Sequence, residues 1–169
     1  AYNDREGLAD ILRSDDVGVI FMEVRRGSEP EPGFLEGVRA LATQSGAILI
    51  FDECTSGFRK TFGGIHLDYG VEPDIATFGK TLGNGYAINA VVGRTEIMEA
   101  AQDTFISSTF WTERIGPTAA LATLDAMLEE DATTRIHETG LRVQQLWREL
   151  GSRNGLDVVP AGIPSISTY

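Results

Sequence analysis

The chain has 169 residues, 42% of them hydrophobic and 23% charged, and a net charge of −11. That length supports one ordinary hydrophobic core, and the composition excludes a disordered chain. The acidic balance repels phosphate backbones and anionic lipid, so neither a nucleic acid nor a membrane is an expected partner.

Val17 to Met22 is a continuous apolar run that ends on Glu23, the pattern of a strand buried on both faces. Pro30, Pro32 and Gly33 mark a loop. Phe34, Leu35, Val38, Leu41 and Ala42 then recur at helical spacing, with Gly46 as the stop. Ala47 to Phe51 is the next strand, too short to cross a bilayer, with Asp52 and Glu53 at its carboxyl end. Strand, helix, strand with short connections predicts a βαβ unit, hence an α/β fold with a parallel sheet.

Ile75 to Phe78 and Ala90 to Val92 predict two further strands. Thr95 is positioned to cap a helix running to about Gln102, and Pro117 suits the first turn of one continuing to about Leu128. A last helix is expected from Thr133 to Leu150, with Ile136, Gly140, Val143, Trp147 and Leu150 on one stripe. Leu156 to Val159 reads as an edge strand. The pattern opens almost directly onto a buried strand and stops as a new α+β pattern begins, so a piece of a larger protein is expected. Ala1 to Arg5 lack the basic flank and apolar stretch of a secretory signal. The lone cysteine, Cys54, precludes an intramolecular disulfide framework, so the chain reads as cytoplasmic.

Two residues at strand ends stand out. Ligands of open α/β sheets bind beyond the carboxyl ends of the strands, where Asp52 is expected. A carboxylate after five apolar residues seeks a cation, a cap or an ion pair, Arg59 being one choice. Lys80 is one of only two lysines, with Lys60, among fourteen lysines and arginines. It ends the Ile75–Phe78 strand and opens the glycine-rich run Gly83-Asn84-Gly85. A lysine becomes a nucleophile when desolvation or a neighbouring cation favours its neutral form, and a covering glycine loop offers the first; a surface lysine in a turn is the plainer alternative. A nucleotide phosphate loop is disfavoured, because Asp74 stands five residues before Gly79 where that motif needs glycine. The hydroxyl-rich segment from Ser107 to Pro117 precedes a helix start, a position that can be capped or can bind an anion. His66, His137 and Cys54 have no metal-ligand spacing, so no metal is expected, and nothing supports a serine or cysteine hydrolase.

Taken together, Ile48-Leu49-Ile50-Phe51-Asp52-Glu53, Gly57-Phe58-Arg59, Pro73-Asp74, Phe78-Gly79-Lys80, Gly83-Asn84-Gly85 and Val91-Val92-Gly93-Arg94 resemble the class III, fold-type I aminotransferases, which depend on pyridoxal 5'-phosphate. Pro32-Gly33-Phe34-Leu35-Glu36-Gly37 matches the family's entry into its helix, and the glutamate-1-semialdehyde aminomutase branch shares the pattern. The resemblance implies a partial large domain over 1–130, then an interdomain helix and the start of an α+β small domain over 131–169. It implies transfer of an amino group between an amine or amino acid and a carbonyl compound. Lys80 would hold the cofactor as a Schiff base and shuttle a proton, Asp52 would pair with its pyridine nitrogen, and Cys54 would pack on a ring face where the family commonly has valine. Thr112, or Thr109, would hold the phosphate, often across a homodimer with shared active sites, and Glu23 would face substrate. Glu23-Val24, Asn84 and Thr112-Glu113-Arg114 depart from the usual family text and mark a divergent branch. An intramolecular amino shift is the alternative reaction within the family. A catalytically incomplete fragment or pseudo-enzyme acting in assembly is the alternative from another class.

Overall fold

The computed structural model describes residues 1–25, 27–107, 109–110 and 112–169. A helix that sequence reading did not anticipate comes first. In α1 (Arg5–Ser14), the Asp4 carboxylate accepts the Gly7 amide at 2.8 Å and caps the start. Four strands follow, β1 (Val19–Glu23), β2 (Ile48–Asp52), β3 (Ile75–Phe78) and β4 (Ala90–Gly93). They lie in the order β1-β2-β3-β4, the first three parallel and β4 antiparallel to β3. Between β1 and β2 runs α2 (Phe34–Ser45), closed by Gly46 in the left-handed conformation that glycine adopts without steric cost, and the short α3 (His66–Tyr69) lies between β2 and β3. The expected βαβ unit is present.

Register decides which residues share a face. Met22 pairs with Phe51 and Phe51 with Ala76, while Glu23 pairs with Asp52 and Asp52 with Thr77. On the first face, Ile20, Leu49 and Phe51 join Leu35, Val38 and Ala42 of α2, and Leu8 and Leu12 of α1 pack against them. A second cluster joins Phe78 and Ala90 of that same face to Phe58, Leu82, Ala120 and Met127. The other face carries Val19, Phe21 and Val91, which are 51%, 60% and 55% exposed. The expectation that β1 is buried on both faces is therefore corrected: among the described residues, the buried clusters lie against one side of the sheet only.

The helices beyond β4 also refine the reading. Thr95 opens the short helix α4 (Thr95–Met98) rather than capping it, since Arg94 still bonds through its amide to the Asp74 carbonyl beside β4. The chain then tightens into a 3-10 turn over Glu99–Asp103. The next helix, α5 (Ile115–Glu129), holds Pro117 in its first turn as expected. The last, α6 (Ala132–Arg153), buries Gly140, Gln144 and Gly151, and Leu150 is 52% exposed. The expected stripe holds at Gly140 and, half-buried, at Ile136, Val143 and Trp147, and fails at Leu150; this side of the helix packs on the chain's tail, where Gln144 donates to the Ser167 hydroxyl at 2.6 Å. Leu156 to Val159 do not form the expected edge strand; the tail pairs only through an isolated bridge between Ala161 and Thr168, and Ile163 enters the sheet's core instead.

Candidate functional site

Glu23 and Asp52 end β1 and β2, and Thr77 stands one residue before the end of β3; the three are paired in register on the sheet face that the helices leave uncovered. The Asp52 Oδ1 atom accepts the Cys54 amide at 2.9 Å and the Thr77 hydroxyl at 3.2 Å. The first bond is an Asx turn that bends the chain off β2; the second ties β2 to β3. Neither alternative weighed for Asp52 is seen: among the described residues it caps no helix and forms no ion pair with Arg59.

Lys80 follows β3 after Gly79 and opens a 3-10 turn over Lys80–Leu82. Its φ is 46°, a left-handed conformation that disfavours a side chain and costs on the order of 1–2 kcal/mol. Gly79 before it has no room for a side chain, since an added Cβ would stand 2.4 Å from Asn89 Oδ1 and 3.0 Å from Cys54 Sγ. The Lys80 ammonium donates to Thr55 Oγ1 at 2.5 Å. The side chain is exposed, so the glycine run does not supply the expected desolvation within this chain. It turns the backbone and leaves the amine open.

Cys54 lies between these groups. Burial, then the charge of Asp52 and a hydrogen bond to its carboxylate, push the thiol above its ordinary range, against a smaller opposing pull from the Lys80 ammonium. The Cys54 thiolate is thus disfavoured beside the Asp52 carboxylate. Behind the site, Glu53 is fully buried, with Oε1 accepting the His66 amide at 3.0 Å and lying 2.8 Å from His66 Nδ1. Its Oε2 accepts the Ser56 hydroxyl, so one carboxylate pins the loop that carries Cys54 and Thr55.

The structure brings Asp52, Cys54 and Lys80 together and sets Glu23 one strand away. Thr109 and Thr112 are exposed, and no hydrogen bond among the described residues links either to that group. Ser108 and Trp111 of the same segment lie outside the described residues. At the start of α5, the Ile115 amide donates to Glu113 Oε1 and the Gly116 amide to Oε2 at 3.3 Å. The anion position expected at this helix start is filled by the chain's own carboxylate. Sequence reading missed Thr55 and Thr77; both are threonines within three residues of a candidate, but only strand register selects them. Asp74, where a phosphate loop would need glycine, is a buried structural carboxylate held by Arg39 at 2.8 Å, Arg94 at 3.2 Å and the Leu49 amide at 2.8 Å.

Residues 15–161 match the class III aminotransferase family model. The chain belongs to the class III aminotransferases. This class III chain is 45% identical over 139 residues to 3-aminobutyryl-CoA aminotransferase of Cloacimonas acidaminovorans, covering 77% of itself and 33% of that protein. It is 38% identical over 172 aligned positions to glutamate-1-semialdehyde 2,1-aminomutase of Methanothrix thermoacetophila, covering 98% of itself and 40% of that protein. Among solved structures, the internal aldimine form of the FumI protein of Sphingopyxis sp. MTA144, with its PLP, superposes with a TM-score of 0.93 at 26% identity, over 99% of this chain and 42% of that one. Acetylornithine aminotransferase from Elizabethkingia anophelis gives a TM-score of 0.82 at 25% identity, over 98% of this chain and 43% of that one. The mixed α/β architecture is that of these enzymes, and the class III chain spans about a third to two fifths of the curated relatives' length. No described helix is long and apolar enough to cross a membrane.

Proposed function

We propose that this chain contributes the cofactor-anchoring part of a pyridoxal-phosphate-dependent enzyme that moves an amino group between an amine or amino acid and a carbonyl compound. The observation that carries the reading is the meeting of the Lys80 amine, bonded to Thr55, with the Asp52 turn at adjacent strand ends of a class III fold. The donor set fits the cofactor: one exposed primary amine, one carboxylate rigidly held through Oδ1, and a weakly acidic thiol between them. Pyridoxal phosphate, when bound, supplies a ring that accepts electron density from a substrate carbon.

The protein's part in this reading is positional and acid–base. Lys80 would be the covalent anchor of the cofactor, and its Nζ would hold or release a proton as the base. Asp52 would pair with the protonated ring nitrogen of the bound cofactor, and Cys54 would pack against its ring. Glu23 faces the substrate from the next strand end. Thr112 or Thr109 holds the phosphate from a second copy in a homodimer, which requires Glu113 to yield the first amides of α5. In this reading 1–130 belong to the cofactor-binding large domain and 131–169 begin the small domain. The lone cysteine supports a cytoplasmic setting. An intramolecular amino shift is the second reading, favoured by 38% identity to an aminomutase over 98% of the chain.

The test is reduction with borohydride after addition of pyridoxal phosphate, followed by peptide mass mapping. Label on Lys80, and its loss in Lys80→Ala, is the expected result. Equal labelling of Lys60 and Lys80 sinks the anchor reading. Sedimentation of the loaded protein tests the dimer.

A further inference from the structure

We infer that Thr55 is a positioning residue for Lys80, fixing where its ammonium sits at the open end of the sheet. The inference deepens the proposed function and rests on it for its meaning, but the contact itself comes from geometry alone. Lys80 Nζ donates to Thr55 Oγ1 at 2.5 Å across 25 residues of sequence. A long, exposed lysine ordinarily samples many rotamers, so a single acceptor is effective only if the acceptor is itself immobile.

Thr55 meets that condition. It sits in the middle of a turn locked at both ends. At the entry, the Cys54 amide bonds to Asp52 Oδ1 at 2.9 Å. At the exit, the Gly57 amide bonds to the Glu53 carbonyl at 2.7 Å, and a Cβ on Gly57 would stand 2.7 Å from that carbonyl and 2.8 Å from the Phe78 ring. Buried Glu53 grips the same turn through Ser56 and ties it to His66. The lysine end is fixed equally, by the left-handed Lys80 backbone and by Gly79 packed against Asn89 and Cys54. Two rigid backbones thus set the span, and the threonine hydroxyl closes it. The hydroxyl places Nζ on the turn that also carries Asp52 and Cys54. Thr55 meets the chemistry only through the Lys80 amine, so it acts through Lys80.

Lys60, the other lysine, pairs with Asp68 and serves as an internal reference. Trace acetylation with acetic anhydride, read by peptide mass spectrometry, gives the Lys80 to Lys60 labelling ratio in one sample. Thr55→Val is isosteric and removes only the acceptor; it is expected to raise that ratio about threefold, the effect of losing one modest hydrogen bond. Thr55→Ser retains the hydroxyl and is expected to restore the wild-type ratio, which a purely structural role for the threonine methyl would not do. A near-ultraviolet circular dichroism spectrum confirms that each variant is folded. A ratio in Thr55→Val equal to wild type overturns the inference, as does Thr55→Ser behaving like Thr55→Val. In a parallel arm, the wild-type chain is mixed with pyridoxal phosphate and reduced with borohydride. Absence of label at Lys80 there overturns the anchor reading alone, while the acetylation ratio still decides the role of Thr55.

Discussion

The Thr77 hydroxyl donates to Asp52 Oδ1 at 3.2 Å, joining the ends of two parallel strands on the uncovered face of the sheet. The bond orients the carboxylate from the side while the Cys54 amide holds it from behind. Thr77→Val is expected to lower unfolding free energy by about 0.5–1.5 kcal/mol in urea titration. Asp52→Asn keeps the shape but loses the charge, and is expected to weaken pyridoxal phosphate retention about tenfold or more by equilibrium dialysis, on the order of 1.4 kcal/mol of charge pairing.

Cys54 gives a pH-dependent reactivity. Burial first, and then the Asp52 charge and hydrogen bond, raise its pKa from the ordinary 9.0. A raised thiol pKa means less thiolate at any given pH, so iodoacetamide alkylation at pH 8 is expected to lag behind that of the unfolded chain and to rise only in more alkaline buffer. Asp52→Asn removes two of the causes and is expected to speed the reaction at pH 8. A faster native than unfolded rate would contradict this environment.

Asp74 gives a pH-dependent stability. Its burial opposes ionisation, but the Leu49 amide and the Arg39 and Arg94 guanidiniums outweigh that and hold its pKa below the ordinary 3.8. A folded pKa below the unfolded one means the unfolded chain binds the proton more tightly. The contribution is therefore complete above the unfolded value and is lost as pH falls through the folded one, so acid unfolding below about pH 4 is where it shows. Asp74→Ala leaves Arg39 and the Leu49 amide without this partner and is expected to cost roughly 3 kcal/mol at neutral pH, measured by denaturant titration.

Glu113 caps α5 through the Ile115 and Gly116 amides. Glu113→Ala is expected to cost about 1 kcal/mol in stability, as loss of a helix cap does. It also frees two amides at a positive helix end, so phosphate titration should shift the Ile115 and Gly116 amide resonances more in the variant than in wild type. Equal shifts would mean that the carboxylate does not compete for this position.

Much of the α/β frame was legible because apolar runs and their polar terminators are local signals. Phe51-Asp52 and Phe78-Gly79-Lys80 mark strand ends wherever the strands pair, and all four strands and α2 were read near their observed bounds. The first helix was missed because its apolar residues, Leu8, Ile11 and Leu12, are sparse and leave no buried residue in it. The stripe of α6 was misjudged only at its end, where Gly151 and not Leu150 meets Leu156 and Val158 of the tail, because periodicity favours the larger residue.

The sequence by itself determined the family, the strand ends and the candidacy of Asp52 and Lys80, since these depend on residue order and on burial patterns that repeat over a few positions. Tertiary structure alone decided that Thr55 receives the Lys80 ammonium, that Thr77 orients Asp52, that Glu113 occupies the start of α5, and that only one face of the sheet is covered. The first two are contacts between residues 25 apart, created by strand register and a turn locked at both ends. The third depends on where one carboxylate points, and the last on which side of the sheet the helices pack. None of these is encoded in local periodicity, because each is a distance set by the packing of several elements at once.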